Sequence, residues 1–258
     1  MGASAPFFLS TKPVPIGLGA HDVAASVCAA RGNRDFSDVV KTAERILDTA
    51  RQLFNAEGER NVTASDIAVE LDMSPGNLYY HFKGKDSIHL ALFSQLQRNL
   101  VSSLGTSITS PDLLADPDET PLQRSWLLLT VVLEQMLDYR YLYENPSDLM
   151  HRYPEIDRGF RRLVKLKRAA CEAIAYALLE SEGFDPRQQP PGGLIDAMTL
   201  ALTYWLSYDQ LIHPEDRNEV IVHRGVLQLL SFCAPYLGGE SAAFYQDCER
   251  LYGLMVKP

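Results

Sequence analysis

The sequence predicts an all-α protein in which an N-terminal three-helix helix-turn-helix head sits on a helical bundle. Three observations predict it. Apolar residues recur at three- and four-residue spacing in one stretch after another, the breaks fall at Pro/Gly-rich or Ser/Thr/Asp-capped positions, and no stretch keeps the alternation of a strand or a hairpin. A chain of 258 residues that is 46% hydrophobic is large enough for a real core. The apolar stretch Trp126 to Leu133, interrupted only by Thr130, is far short of the roughly 20 residues that span a bilayer.

Residues 1–34 hold Pro6, Pro13, Pro15, Gly17 and Gly19 without periodicity and read as a mobile arm. The alternative is a basic extension in which Arg31 and Arg34 follow a nucleic-acid backbone. From Ser37 to Ala56 the positions Val39, Val40, Ala43, Ile46, Leu47, Ala50, Leu53 and Phe54 predict an amphipathic helix, and Gly58 stops it. Thr63 caps a second, short helix carrying Ile67, Ala68 and Leu71. After Asp72-Met73, Ser74 caps a third, with Pro75 at its first position. Only Leu78 and Phe82 of this third helix have a burying spacing. The remaining side chains, Gly76, Asn77, Tyr79, Tyr80 and His81, suit a face turned toward something other than a core.

A connecting helix is expected from Asp86 to Leu104, and the polar stretch Ser107–Thr120 reads as a loop. Pro121–Leu142 is apolar around much of its circumference and reads as the central helix of the body. A helical turn at Ser147–Met150 and a long amphipathic helix at Asp157–Ser181 follow, then helices at Leu194–Ile212, Glu219–Tyr236 and Ser241–Met255. The organisation is an arm (1–34), a head (35–90) and a body (91–258).

The net charge of −9 is not relieved locally: residues 31–90 hold eight Lys/Arg against ten Asp/Glu. Nucleic-acid affinity must therefore come from a few placed contacts and helix N-termini rather than bulk charge. Cysteines at 28, 171, 233 and 248 have neither metal nor disulfide-framework spacing, and no basic leader precedes an apolar segment, so a cytoplasmic protein without a membrane partner is expected. The histidines do not pair at metal spacing, and there is no Gly-rich phosphate loop or nucleophile motif. His213 with Glu215 and Asp216 is the nearest approach to a metal cluster. The expectation is no metal, no cofactor and no catalytic residue, with an all-helical small-molecule enzyme as the remote alternative.

Thr63, Ile67-Ala68, Ser74 to Phe82 and Lys85, behind a helix ending Leu53-Phe54-Asn55-Ala56-Glu57-Gly58, resemble the DNA-binding head of the TetR family of bacterial regulators. The resemblance covers about residues 41–90, and the rest is similar only in architecture. Tyr139-Arg140-Tyr141-Leu142-Tyr143 with Leu149 and Pro154 is similar, more weakly, to a subgroup that includes regulators of polyhydroxyalkanoate storage genes. The family resemblance implies a homodimeric transcriptional regulator, a repressor released from a palindromic double-stranded operator by a small apolar or acyl-type inducer. A helix-turn-helix activator or architectural DNA-binding protein without inducer is the alternative.

Residue by residue, it implies that Thr63 holds a phosphate at a helix N-terminus, beside its role as a plain cap. It places Ser74, Gly76 and Asn77 near base edges and backbone, has Tyr79 and His81 donate to phosphates, and makes Lys85 a point charge against the backbone. Pro75 stands where many relatives carry a basic or polar residue. In the body, Trp126, Met136, Tyr139, Tyr143, Tyr153, Phe160 and Trp205 either line an apolar ligand cavity or fill a solid core. The basic stripe Arg158, Arg161, Arg162, Lys165 and Arg168 either meets an anionic ligand, such as an acyl thioester of coenzyme A, or is a solvated face. Trp205, Tyr208 and Leu211, with Val226, Leu229 and Leu230, are expected to pair across a dimer axis.

Overall fold

The computed structural model describes residues 36–109, 119–185, 187 and 190–256. The expected arm, 1–34, lies outside the described residues. Helix α1 (Phe36–Glu57) buries Ala43, Ile46, Leu47, Ala50 and Phe54, none more than 1% exposed, and a single 3-10 turn (Glu59–Asn61) leads out of it. Helices α2 (Ala64–Glu70) and α3 (Pro75–His81) close the head by setting Ile67, Ala68, Leu78 and Phe82 on that floor. Helix α4 (Lys85–Thr109) starts against α1 and runs into the body, burying Ile88, Leu92, Leu96, Leu100 and Leu104.

The body consists of α5 (Pro121–Leu137), α6 (Tyr141–Glu144), α7 (Pro146–Arg152), α8 (Pro154–Ser181), α9 (Leu194–Ile212), α10 (Asn218–Ser231) and α11 (Gly239–Met255). The long α8 is its centre, packed on α4, α5, α7 and α9, while α10 covers α5 and α9 and carries α11 outside it. Two crossings depend on glycine. A Cβ at Gly159 would lie 2.2 Å from Phe93 of α4, and one at Gly225 would lie 2.5 Å from the Trp205 indole and 2.8 Å from Leu133. Close helix approach there requires the missing side chain. No described helix is long and apolar enough to cross a membrane.

The expected helix Pro121–Leu142 stops at Leu137. Asn55 of α1 is the reason: its amide donates to the Asp138 carbonyl (2.8 Å), its side-chain oxygen accepts the Tyr141 amide (3.2 Å), and its own carbonyl accepts from Arg140 (2.8 Å). These tertiary bonds replace helical ones and turn the chain. The helix expected over Glu219–Tyr236 likewise ends at Ser231, with a 3-10 turn at Ala234–Tyr236 around Pro235. The face expected to pair between subunits also needs correction. Trp205, Val226, Leu229 and Leu230 are buried inside the protomer, whereas the outward stripe of α9 is Leu200, Tyr204, Tyr208 and Leu211, 48–83% exposed.

Candidate functional site

The head is capped twice. The Asp66 amide donates to the Thr63 hydroxyl oxygen (3.2 Å), and the Thr63 amide and hydroxyl both donate to the Asp66 carboxylate (2.8 and 2.7 Å), a closed capping box at the start of α2. Those bonds from Thr63 hold the Asp66 carboxyl below its usual range. At the corner Asp72 takes a left-handed backbone (φ 51°), with the Met73 amide bonded to the Ala68 carbonyl (2.9 Å). Ser74 then accepts the Asn77 amide (3.2 Å), and Pro75 occupies the first helical position.

Ser74, Pro75, Gly76 and Asn77 are all exposed, and Tyr79 is 54% exposed. Nothing lies within 4 Å of a Cβ built on Gly76. Glycine in a helix is costly, and among the described residues no neighbour asks for it here. The first turn of α3 is thus a bare, uncharged edge of small groups with one aromatic ring beside it.

Two residues assigned to phosphate by resemblance are placed otherwise. His81 is 8% exposed, with its ring edge-on to Tyr80 at 5.2 Å, inside the head rather than on its surface. The Lys85 ammonium is bound to Glu59, at 2.8 Å from its carbonyl and 3.1 Å from its carboxylate, so its charge is spent within the fold. Lys83, which the sequence reading passed over, is the exposed cation just beyond α3.

Glu59, 6% exposed, also takes Arg152 of α7 at 2.6 Å, and Arg152 in turn holds Asp148 (3.0 Å), which pairs with Arg60. Burial opposes ionisation of Glu59, but the bonds from Arg152 and Lys85 outweigh it and leave the carboxyl below its usual range. Tyr153 donates to Asp86 (2.8 Å) on the same seam. Behind it, His89 lies fully buried among Phe54, Tyr141 and Tyr153, and burial lowers it to about 4. Head and body are therefore joined by an ion-pair network at Glu59 and a backbone clasp at Asn55. Neither was legible in sequence: Glu59 follows Gly58 in what reads as a turn, and its partners are 26 and 93 residues away.

The seven aromatic and methionine candidates do not converge on one cavity. Trp126 stacks edge-on with His223 and Phe244 on the α10–α11 side, Trp205 donates to the Ile221 carbonyl (3.3 Å), and Met136 is core. Tyr139 and Tyr153 belong to the head–body seam. Only Tyr143 and Phe160 meet, with ring centres 5.7 Å apart, and Phe93 stacks on Phe160 at 5.6 Å. Into this group comes Lys167, a residue the sequence reading missed. It is 1% exposed, its ammonium 4.8 Å from the Tyr143 ring centre and 3.2 Å from the Leu202 carbonyl. Its position four residues from both Leu163 and Cys171 on the inward face was the available signal.

The Arg158–Arg168 stripe is exposed and pairs with acids, Arg158 with Glu155, Arg161 with Asp157, and Arg168 with Glu172 and Asp196. That is a solvated face. His213 and Asp216 are 4.0 Å apart, but Asp216 is taken by Arg224 at 2.8 Å. Among the described residues no three His, Cys, Asp or Glu side chains come together to hold a metal.

An all-helical chain with a capped, groove-sized helix exposed on a three-helix head is a helix-turn-helix DNA-binding protein. Residues 46–92 match the model for bacterial regulatory proteins of the tetR family, and residues 111–245 match that family's bacterial transcriptional repressor domain. The chain belongs to the tetR family of transcriptional regulators. It is similar to a solved TetR-family regulator from Marinobacter aquaeolei VT8, with 26% identity, a TM-score of 0.65, and coverage of 80% of this chain and 98% of that one. An HTH-type regulator in the dhlA 5′ region of Xanthobacter autotrophicus is 37% identical over 84 residues, 33% of this chain and 40% of that protein. The probable HTH-type regulator YttP of Bacillus subtilis is 23% identical over 149 residues, 58% of this chain and 68% of its own. The match thus spans less than half of the Xanthobacter relative. The family and these relatives are transcriptional regulators, not enzymes.

Proposed function

We propose that the protein is a one-component repressor that binds a palindromic operator as a homodimer and is released by a small ligand held in its body. One observation carries the DNA reading: the first turn of α3 exposes Ser74, Pro75, Gly76 and Asn77, and among the described residues nothing packs against Gly76 where a side chain would stand. Thr63, Tyr79 and Lys83 flank that edge as backbone-directed groups, and the head extends over residues 35–90. Two such helices would enter successive major grooves about 34–36 Å apart.

The outward stripe Leu200, Tyr204, Tyr208 and Leu211 supports a second copy, because four large apolar side chains on one helix face are costly to leave in water. A ligand that favours one arrangement of the body would reach the head through the Glu59–Arg152 pairs and the Asn55 clasp. Operator affinity then falls by the ligand's differential affinity for the two states.

The test is a fluorescence-anisotropy titration on DNA flanking the protein's own gene at several salt concentrations, with sedimentation to fix the species. Sequence-selective binding by a dimer is expected, lost together with the dimer in Leu211→Arg. A dimer without sequence selectivity sinks the repressor reading.

A further inference from the structure

We propose that the region around Lys167, between α6, α8 and α9, binds the carboxylate of a small acid with an apolar body, Lys167 supplying the cation and the Tyr143 hydroxyl a hydrogen bond. This rests on the ligand-responsive reading above and names the chemistry of that ligand. Lysine is almost never fully buried unless paired. Lys167 is 1% exposed, and among the described residues no carboxylate lies within ion-pair reach of it. Among the described residues its surroundings are the Leu202 carbonyl at 3.2 Å, the Tyr143 ring at 4.8 Å and the nearby Cys171, a buried thiol whose own burial keeps it from ionising. An ammonium has three protons to give, and one carbonyl and a ring face do not compensate its charge.

The second polar group is Tyr143, 1% exposed, whose buried hydroxyl has no hydrogen-bond partner among the described residues. A carboxylate has two oxygens, and the Lys167 ammonium on α8 lies over the ring of Tyr143 on α6, the residue that carries the second donor. Phe160 against Tyr143, and Phe93 against Phe160, supply aromatic surface for the rest of the ligand. Burial pushes Lys167 down to about 7, so the acid-free protein holds it partly neutral and an incoming carboxylate restores its charge. If the lysine served only packing, an apolar side chain of similar volume would do as well or better, because it carries no desolvation cost.

The site is also wired to the head. Tyr143 lies on the four-residue α6, whose Tyr141 amide is bound to Asn55 of α1 (3.2 Å), and the Tyr143 carbonyl accepts from Ser207 of α9. A carboxylate drawing Tyr143 toward Lys167 pulls on the segment that holds the head.

The experiment uses the full-length wild-type protein with two matched probe pairs, phenylacetate against 2-phenylethanol and octanoate against octanol, in calorimetry and thermal melts. At least one acid is expected to bind and raise the melting temperature where its alcohol does not. Lys167→Met should lose roughly 30-fold or more of the acid affinity, as when the cation of a buried pair is removed, and keep whatever affinity the alcohol has. Tyr143→Phe should lose about 5-fold, the scale of one hydrogen bond. Ligand-free Lys167→Met should melt at or above the wild type.

Equal binding of acid and alcohol, no acid binding up to about 10 mM, or wild-type acid affinity in Lys167→Met overturns the proposal. If Lys167→Met does not fold, wild-type acid affinity in Tyr143→Phe overturns it instead. Operator binding by the same preparations separates the two claims: acid failure with intact operator binding refutes this site alone, whereas loss of selective operator binding strikes the repressor reading.

Discussion

Replacing Gly76 by alanine pulls two properties in opposite directions. The backbone of α3 is helical at this position, and a Cβ there meets nothing within 4 Å, so the substitution is free of strain inside the molecule. It gains helix propensity, worth up to about 1 kcal/mol. For a chain of this size that raises the melting temperature by roughly 2–4 °C. On DNA the same methyl group would stand on the exposed first turn, where the backbone approaches the groove.

Forcing a methyl into a close-packed contact costs about 1–3 kcal/mol, roughly 5- to 150-fold in affinity, and a dimer carries the change twice. Urea unfolding and operator anisotropy on the same preparation read both numbers. A stabilised Gly76→Ala that binds its operator as well as wild type would show that residue 76 does not approach DNA, and a destabilised one would contradict the open space around it.

Lys85→Met should lower stability by about 1–2 kcal/mol, because Glu59 loses one of its two cations while the lysine itself is partly exposed. The salt slope of operator binding should stay unchanged in urea-free titrations, whereas a phosphate contact would reduce it by about 1. Asp72→Gly should stabilise by roughly 0.5–1 kcal/mol, since glycine takes the left-handed corner at φ 51° without a side-chain penalty; an unchanged denaturation midpoint would refute the strain. The Glu59 carboxyl is held low in the fold, so its contribution is fully present above the ordinary carboxyl range and is lost as pH falls through the lowered value. Unfolding free energy measured between about pH 3 and pH 6 should therefore fall more steeply in wild type than in Glu59→Gln, and parallel curves would count against the network.

Local chemistry made the head readable. Thr63 and Ser74 cap their helices through the nearest amides, Pro75 suits the first turn because its missing N–H is needed by nothing, and Leu78 with Phe82 just past the end of α3 is buried as the spacing predicts. The phosphate roles of His81 and Lys85 came from the family resemblance. Both sit in a motif whose surface is polar, yet one ring turns inward and the other charge is claimed by Glu59 across 26 residues. In the body, aromatic composition left cavity lining and solid core both open, and residues such as Trp126 and Tyr153 go to different seams through helix rotations that composition does not encode.

Short-range physics settles the all-α class, most helix limits, both caps of the helix-turn-helix, and the uncharged first turn of α3. Each depends on groups within four residues of one another. Tertiary structure decided where the long helix breaks after Leu137, which cations are spent inside the fold, and that Lys167 lies buried against Tyr143. Those outcomes depend on side chains brought together from distant helices, and pairing energies between them are settled only when the helices pack.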